Sequence, residues 1–338
     1  MSEVVLCKDQ HLDRLVVIKA LSAGVDSRRI LDELAALQSI RSKHVVQIFD
    51  VIRGNDGHVA AIVEEYLPGD DLTSIPPPKT ATEFLKLLYP IAEGIADIYE
   101  HKMVHRDIKP INMKYDAEKC LKIFDFGLTR AGVDASTIGI IGTRGYMAPE
   151  LFRTTRSGRV SFTEAVDTFA FGATALACLI RRFPRDLLEM PPKLPCKDAN
   201  FSNLTPSMPP EIAELLNQCL DADPCHRPRM SYAAKLIGLH LLRNRHRALL
   251  VTRSNSYVLD ENNRVAELSV RGQGSLTITY DGLRFVISKV SGHVAINNMP
   301  VSNNDVLPGS CVIVLGPINQ GAARTMITVD VSHPEVTI

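Results

Sequence analysis

Apolar and polar positions change rhythm twice along the chain. Through about residue 75 the apolar runs are short and rich in β-branched residues, as in Val4-Val5-Leu6, Leu15-Val16-Val17-Ile18 and Ile62-Val63. They predict strands arranged around one helix. From Thr80 the period becomes helical. Phe84, Leu87, Leu88, Ile91, Ile95 and Ile98 fall on one face, and Thr80-Ala81-Thr82-Glu83 reads as a capping box. Pro76-Pro77-Pro78 stops anything helical before it. Residues 211–220 and 230–242 continue the helical pattern. Residues 169–180 are apolar almost throughout, which reads as a buried helix, too short to span a bilayer and closed by Arg181-Arg182.

Beyond about residue 250 the period falls to two. Ser275-Leu276-Thr277-Ile278-Thr279-Tyr280 alternates, Asp281-Gly282 supplies a hairpin turn, and residues 283–287 return. Val294-Ala295-Ile296 and Met299-Pro300-Val301 form a second tight pair around Asn297-Asn298, and Cys311-Val312-Ile313-Val314-Leu315 adds another strand. Short strands with turns at this spacing predict an all-β sandwich. The division therefore falls between residues 1–245 and 250–338. Arg243-Asn244-Arg245-His246-Arg247 links them, either as a solvated helix end or as a site for an acidic partner.

Composition narrows the function classes. With 38 basic and 38 acidic residues the formal net charge is zero, so no global field draws the chain to nucleic acid or to anionic lipid. The N-terminal Met-Ser-Glu-Val-Val-Leu lacks the basic leader and apolar core of a signal peptide. Seven scattered cysteines without a Cys-x-x-Cys pair suggest a reducing compartment, hence the cytoplasm, and no zinc.

Candidate chemistry concentrates at residues 104–127. Val104-His105-Arg106-Asp107-Ile108-Lys109-Pro110-Ile111-Asn112 is followed, after a short charged turn, by Leu121-Lys122-Ile123-Phe124-Asp125-Phe126-Gly127. Phosphoryl transfer is mostly positioning and charge neutralisation, so carboxylates, a metal ion and a lysine recur together in the sites that perform it. Asp107 is placed to accept the proton of an attacking hydroxyl. Asn112 and Asp125 offer the hard oxygen ligands that suit magnesium.

On these residues the chain resembles a eukaryotic-type protein kinase, and the likeness extends well past the two loops. Val16-Val17-Ile18-Lys19 is similar to the strand whose lysine grips the α- and β-phosphates of ATP. Glu33, fourteen residues on, resembles the helix glutamate that pairs with it. Ile62-Val63-Glu64-Glu65-Tyr66-Leu67 resembles the strand entering the adenine-binding hinge, which assigns Glu65 and Leu67 to the nucleotide. Ala148-Pro149-Glu150 resembles the end of an activation segment, and Arg227 the arginine that pairs with its glutamate. Asp167, in the apolar helix, resembles the aspartate that anchors the catalytic loop. Lys109, which would neutralise the transferred phosphate, and the Ile108-Lys109-Pro110 segment are of the serine/threonine type. Arg106 beside the base implies control by phosphate on Ser136 or Thr137, and Thr143 resembles the threonine that docks a protein substrate. The fold implied is α+β and bilobal, with a small β-rich N-lobe and a helical C-lobe. ATP and Mg2+ are the implied ligands and a protein hydroxyl the acceptor.

Two departures and a second resemblance complete the reading. The first nineteen residues contain no glycine, so the strand and glycine-rich lid that cover the phosphates have no sequence to make them. The shortened N-lobe leaves four readings: slow transfer under an open roof, a partner chain completing the lobe, nucleotide binding without transfer, or a misassigned start. With the catalytic set intact, retained or conditional catalysis is favoured. Glu64 falls at the usually apolar position behind the adenine, unless the register slips by one residue. Residues 250–320 resemble a forkhead-associated (FHA) domain, a phosphothreonine-reading sandwich. Arg253 stands at its arginine position, but Gly272 replaces the serine and Gly292-His293 the Asn-Gly. The resemblance leaves open a docking or dimerisation module, or a reader of phosphoproteins through Arg253.

Overall fold

The computed structural model describes residues 3–21, 27–55, 57–126, 143–152, 163–332 and 336; of residues 27–30, 32 and 33 only the backbone is described. The chain forms two compact units, Met1–Ile237 and Gly238–Ile338.

In the first unit, β1 (Val4–Asp9), β2 (Arg14–Ala20), β3 (Ile48–Arg53) and β4 (Val59–Glu65) make an antiparallel sheet in the order β1-β2-β4-β3. The β1–β2 register sets Val5 against Ile18 and Lys8 against Leu15. Its hairpin needs no glycine, because the Asp9 carboxylate accepts from the backbone N–H groups of His11 at 3.0 Å and Leu12 at 3.2 Å and closes the turn itself. Helix α1 (Ser27–Ser39) follows β2 and packs on β3 and β4.

Helix α2 (Ala81–Glu100) begins where the hydroxyl of Thr80 accepts from the N–H of Glu83 at 3.1 Å. The Glu83 carboxylate reaches back to the N–H of Lys79 at 2.8 Å, one residue before the position a reciprocal capping box uses. Phe84, Leu88, Ile91, Ile95 and Ile98 are buried. Gly94 lets α2 approach the loop before β3: a Cβ there would lie 2.9 Å from the His44 carbonyl. The hairpin of β5 (Met113–Tyr115) and β6 (Leu121–Ile123) lies under α2. Helix α3 (Glu164–Ile180) is buried along nearly its whole length. It packs against α5 (Pro210–Cys219), with Gly172 admitting Cys219, whose Cβ would be 2.9 Å from any added Cβ. The short α4 (Arg185–Leu188) lies between them in sequence, and α6 (Met230–Leu241) carries the boundary between the units. Among the described residues no helix is long and apolar enough to cross a membrane.

The second unit holds β7 (Ala248–Val251), β8 (Ser256–Leu259), β9 (Val265–Val270), β10 (Gly274–Tyr280), β11 (Phe285–Gly292), β12 (Val294–Ile296), β13 (Met299–Pro300), β14 (Cys311–Leu315) and β15 (Thr325–Val331). They form a six-stranded sheet, β13-β12-β14-β15-β7-β8, and a three-stranded sheet, β11-β10-β9. One core joins the two, with Leu250, Leu259, Ile313 and Ile327 from the larger sheet and Leu268, Ile278 and Ile287 from the smaller. Asn297 and Asn298 both take positive φ, 48° and 67°, as a two-residue turn between antiparallel strands requires. The β10–β11 connection is longer than the two residues expected. Tyr280 pairs with Phe285, and Asp281 accepts from the N–H groups of Leu283 and Arg284, each at 2.7 Å, so the loop takes four residues.

Candidate active site

The β5–β6 hairpin sets the site. Met113 pairs with Ile123, so Asn112 just before one strand and Phe124-Asp125 just after the other leave the same end, joined by the Phe124 N–H to the Asn112 carbonyl at 3.0 Å. Asp125 takes positive φ, 64°, and its carboxylate meets the ammonium of Lys19, 106 residues away on β2. The Asn112 amide nitrogen donates to the Asp107 carbonyl at 2.8 Å and to its Oδ2 at 3.1 Å. A planar amide fixed through its nitrogen turns its oxygen the other way. One amide oxygen and one carboxylate on adjacent loops suit a hard divalent cation that keeps phosphate and water ligands, so the donor set fits magnesium. Lys109 Nζ lies 2.9 Å from Asp107 Oδ2 and donates to the hydroxyl of Thr143 at 3.1 Å.

The loop carrying Asp107 is held from below. Asp167 on α3 accepts from the N–H of His105 at 2.6 Å and of Arg106 at 2.9 Å. Burial pushes its carboxyl up to about 7, against the pull of those two bonds. His105 accepts from the Asp107 N–H through Nδ1 at 3.3 Å and donates through Nε2 to the Phe124 carbonyl at 3.1 Å. One accepting and one donating nitrogen define a neutral ring, and burial pushes His105 down to about 4. This ring ties the two loops together and lies tilted at 48° against Phe126, with centroids 4.7 Å apart.

Glu64 and Glu65 part company at the end of β4. Glu64 is buried, and burial raises its pKa. Glu65 turns to Lys122 on β6, which donates to both its oxygens at 2.6 and 2.8 Å; Asp116 is 3.6 Å from the same ammonium. The Glu65 side chain is thus committed to an ion pair, its backbone N–H donates to the Gln47 carbonyl at 2.9 Å, and Leu67 two residues on is buried. Sequence reasoning passed over Lys122. The available signal was a lysine flanked by Leu121 and Ile123 in a strand otherwise buried throughout.

Glu150 and Arg227 form a bidentate pair at 2.7 and 2.9 Å, with the arginine side chain fully buried and further bonded to the carbonyls of Ala165 and Asp221. The Glu33 side chain and residues Gly127, Ser136 and Thr137 lie outside the described residues. In the second unit Arg253 is exposed in the β7–β8 turn. Gly272 is in the β9–β10 turn, which the His293 N–H joins through the Gln273 carbonyl at 3.1 Å.

The family model for the protein kinase domain matches residues 1–236. The serine/threonine-protein kinase PrkC of Bacillus subtilis is 29% identical over 243 residues, covering 67% of this chain and 36% of its own. The serine/threonine-protein kinase drp72 of Corynebacterium efficiens is 30% identical over 245 residues, 67% of this chain and 46% of its own. Mitogen-activated protein kinase kinase 9 of Arabidopsis thaliana is 29% identical over 175 residues, 50% of this chain and 56% of its own. The chain spans from about a third to a little over half the length of these curated relatives. Since the family model covers well over half of its residues, the chain belongs to the protein kinase family.

Proposed function

We propose that the chain is a serine/threonine protein kinase that moves the γ-phosphate of ATP to a protein hydroxyl. The observation carrying this is the juxtaposition of the Lys19–Asp125 pair with the Asp107–Lys109–Asn112 cluster around one hairpin end. Asp107 is the base: its Oδ2, steadied by Asn112 and Lys109, accepts the hydroxyl proton. Lys109 balances charge on the phosphate in flight, and Thr143 beside it positions the acceptor. Lys19 holds the α- and β-phosphates, with Glu33 as its helix partner, and the backbone from Glu65 to Leu67 holds the adenine. Asn112 and Asp125 are the ligands of Mg2+, which when bound neutralises the phosphate oxygens. Asp167 and His105 keep the base in place, the Glu150–Arg227 pair ends the activation segment, and phosphate on Ser136 or Thr137 would dock on Arg106.

Labelled ATP, magnesium and a generic protein substrate test the reading. Asp107→Ala is expected to lose about 10²- to 10⁴-fold in transfer, the range for a general base. Equal incorporation by both proteins would remove catalysis from the account and leave a nucleotide-holding scaffold.

For residues 250–338 the reading is an FHA-like sandwich acting as a docking module. Neither Gly272 nor Gly292 has a side chain to donate to phosphate. Phosphothreonine peptides should therefore bind no better to the chain than to Arg253→Ala; a selective loss in the variant would restore the phosphoprotein-reading alternative.

A further inference from the structure

Glu64 is a buried acid that the chemistry above leaves without a task. It lies on β4, a central strand, with Val17 of β2 opposite on one side and Ile48 of β3 on the other. Cross-strand partners share a face of the sheet, and so do residues two apart on one strand. Val17 and Glu64 therefore face the same way as Lys19 and Ile62, the next such pair along β2 and β4. Ile62 is fully buried and Glu64 is only 8% exposed. Lys19 and Glu64 are diagonal neighbours, and such positions are roughly 7–8 Å apart, within reach of long side chains. Burial is the largest influence on the Glu64 carboxyl and raises its pKa; the Lys19 ammonium pulls the other way and the Asp125 carboxylate adds to the rise. A buried carboxylate whose cross-strand neighbours are Val17 and Ile48 is costly unless a cation answers it, and Lys19 is a cation on its face.

We propose that Glu64 is a positioning residue for Lys19, a second counter-charge that keeps the ammonium aimed into the cleft once Asp125 lets go of it. The proposal rests on the phosphoryl-transfer reading of the cleft and adds a group to it. Lys19 is in contact with Asp125 in this structure, yet both are needed elsewhere during transfer. A lysine released by Asp125 is freer to swing among rotamers. One with a carboxylate diagonal to it on the neighbouring strand has somewhere to stay, and that position is set by the β2–β4 register.

Two readouts on the full chain test this. In phosphate transfer, Glu64→Gln and Glu64→Met are expected to lower kcat about tenfold while KM for ATP stays within about threefold. The unfolding midpoint should hold or rise, because a buried carboxyl has been removed. Wild-type kcat in either variant, or a midpoint that falls together with kcat, overturns the proposal. The second readout needs no turnover. In an Asp125→Asn background, Glu64→Gln, Lys19→Met and the double variant form a cycle of unfolding midpoints. A non-additive shift of about 2–4 °C is expected; additive effects overturn the proposal. Absence of Asp107-dependent transfer in the unsubstituted chain would defeat the kinase reading instead, and the cycle would then decide the part played by Glu64 on its own.

Discussion

His105 shows how much of this site depends on single protonation states. Its ring is neutral because one nitrogen accepts from Asp107 and the other donates to Phe124, and burial holds its pKa near 4. In an unfolded chain the same ring takes a proton near 6.5. Between those values the unfolded state binds the extra proton, so stability falls as pH drops from about 6.5 to about 4, by up to about 3 kcal/mol. Asp167 slopes the other way, since a carboxyl raised to about 7 loses its contribution as pH climbs through that value. The histidine contribution is isolated by comparison: His105→Gln should flatten the acid side of the unfolding profile relative to wild type, and parallel profiles would refute it. Asp167→Ala strands two buried N–H donors and should cost about 2–4 kcal/mol in denaturant unfolding. The grouping of Asp107, Asn112 and Asp125 was legible in the sequence because the two motifs that carry them read as neighbouring loops. The pairing of Glu65 with Lys122 was not, because the partners stand 57 residues apart and no local period links them.

At the scale of elements, the boundaries that carried a cap or a turn motif were the readable ones. Thr80 opens α2 as its sequence suggests, but Glu83 bonds Lys79 rather than Thr80, a choice of one N–H over its neighbour that sequence does not encode. The β10–β11 loop grew to four residues because the Asp281 carboxylate captured two N–H groups ahead of it. The end of β4 and strand β6 are joined by the Lys122–Glu65 pair, whose side chains are 9% and 19% exposed. Breaking a buried pair leaves an uncompensated charge, so Lys122→Met should destabilise the chain by about 3–5 kcal/mol, and Lys122→Met with Glu65→Met by less. Thermal unfolding of the three proteins checks this; a double variant worse than the single would contradict it.

For the whole molecule, the second unit, Gly238–Ile338, holds two sheets that share a core of their own. A fragment of residues 238–338 is accordingly expected to unfold in one cooperative step by circular dichroism. What period alone could not supply in the first unit was convergence: Lys19 and Asp125 meet only because the sheet and the β5–β6 hairpin fold into one body. That convergence is the central claim, and binding of magnesium-ATP tests it most directly. At a hundred times the dissociation constant, the ligand should stabilise the first unit by about 2.7 kcal/mol. This should appear as a midpoint raised by roughly 5–10 °C, abolished by a chelator and by Asp125→Ala. An unchanged midpoint in the wild-type chain, or an equal rise in Asp125→Ala, would contradict the account.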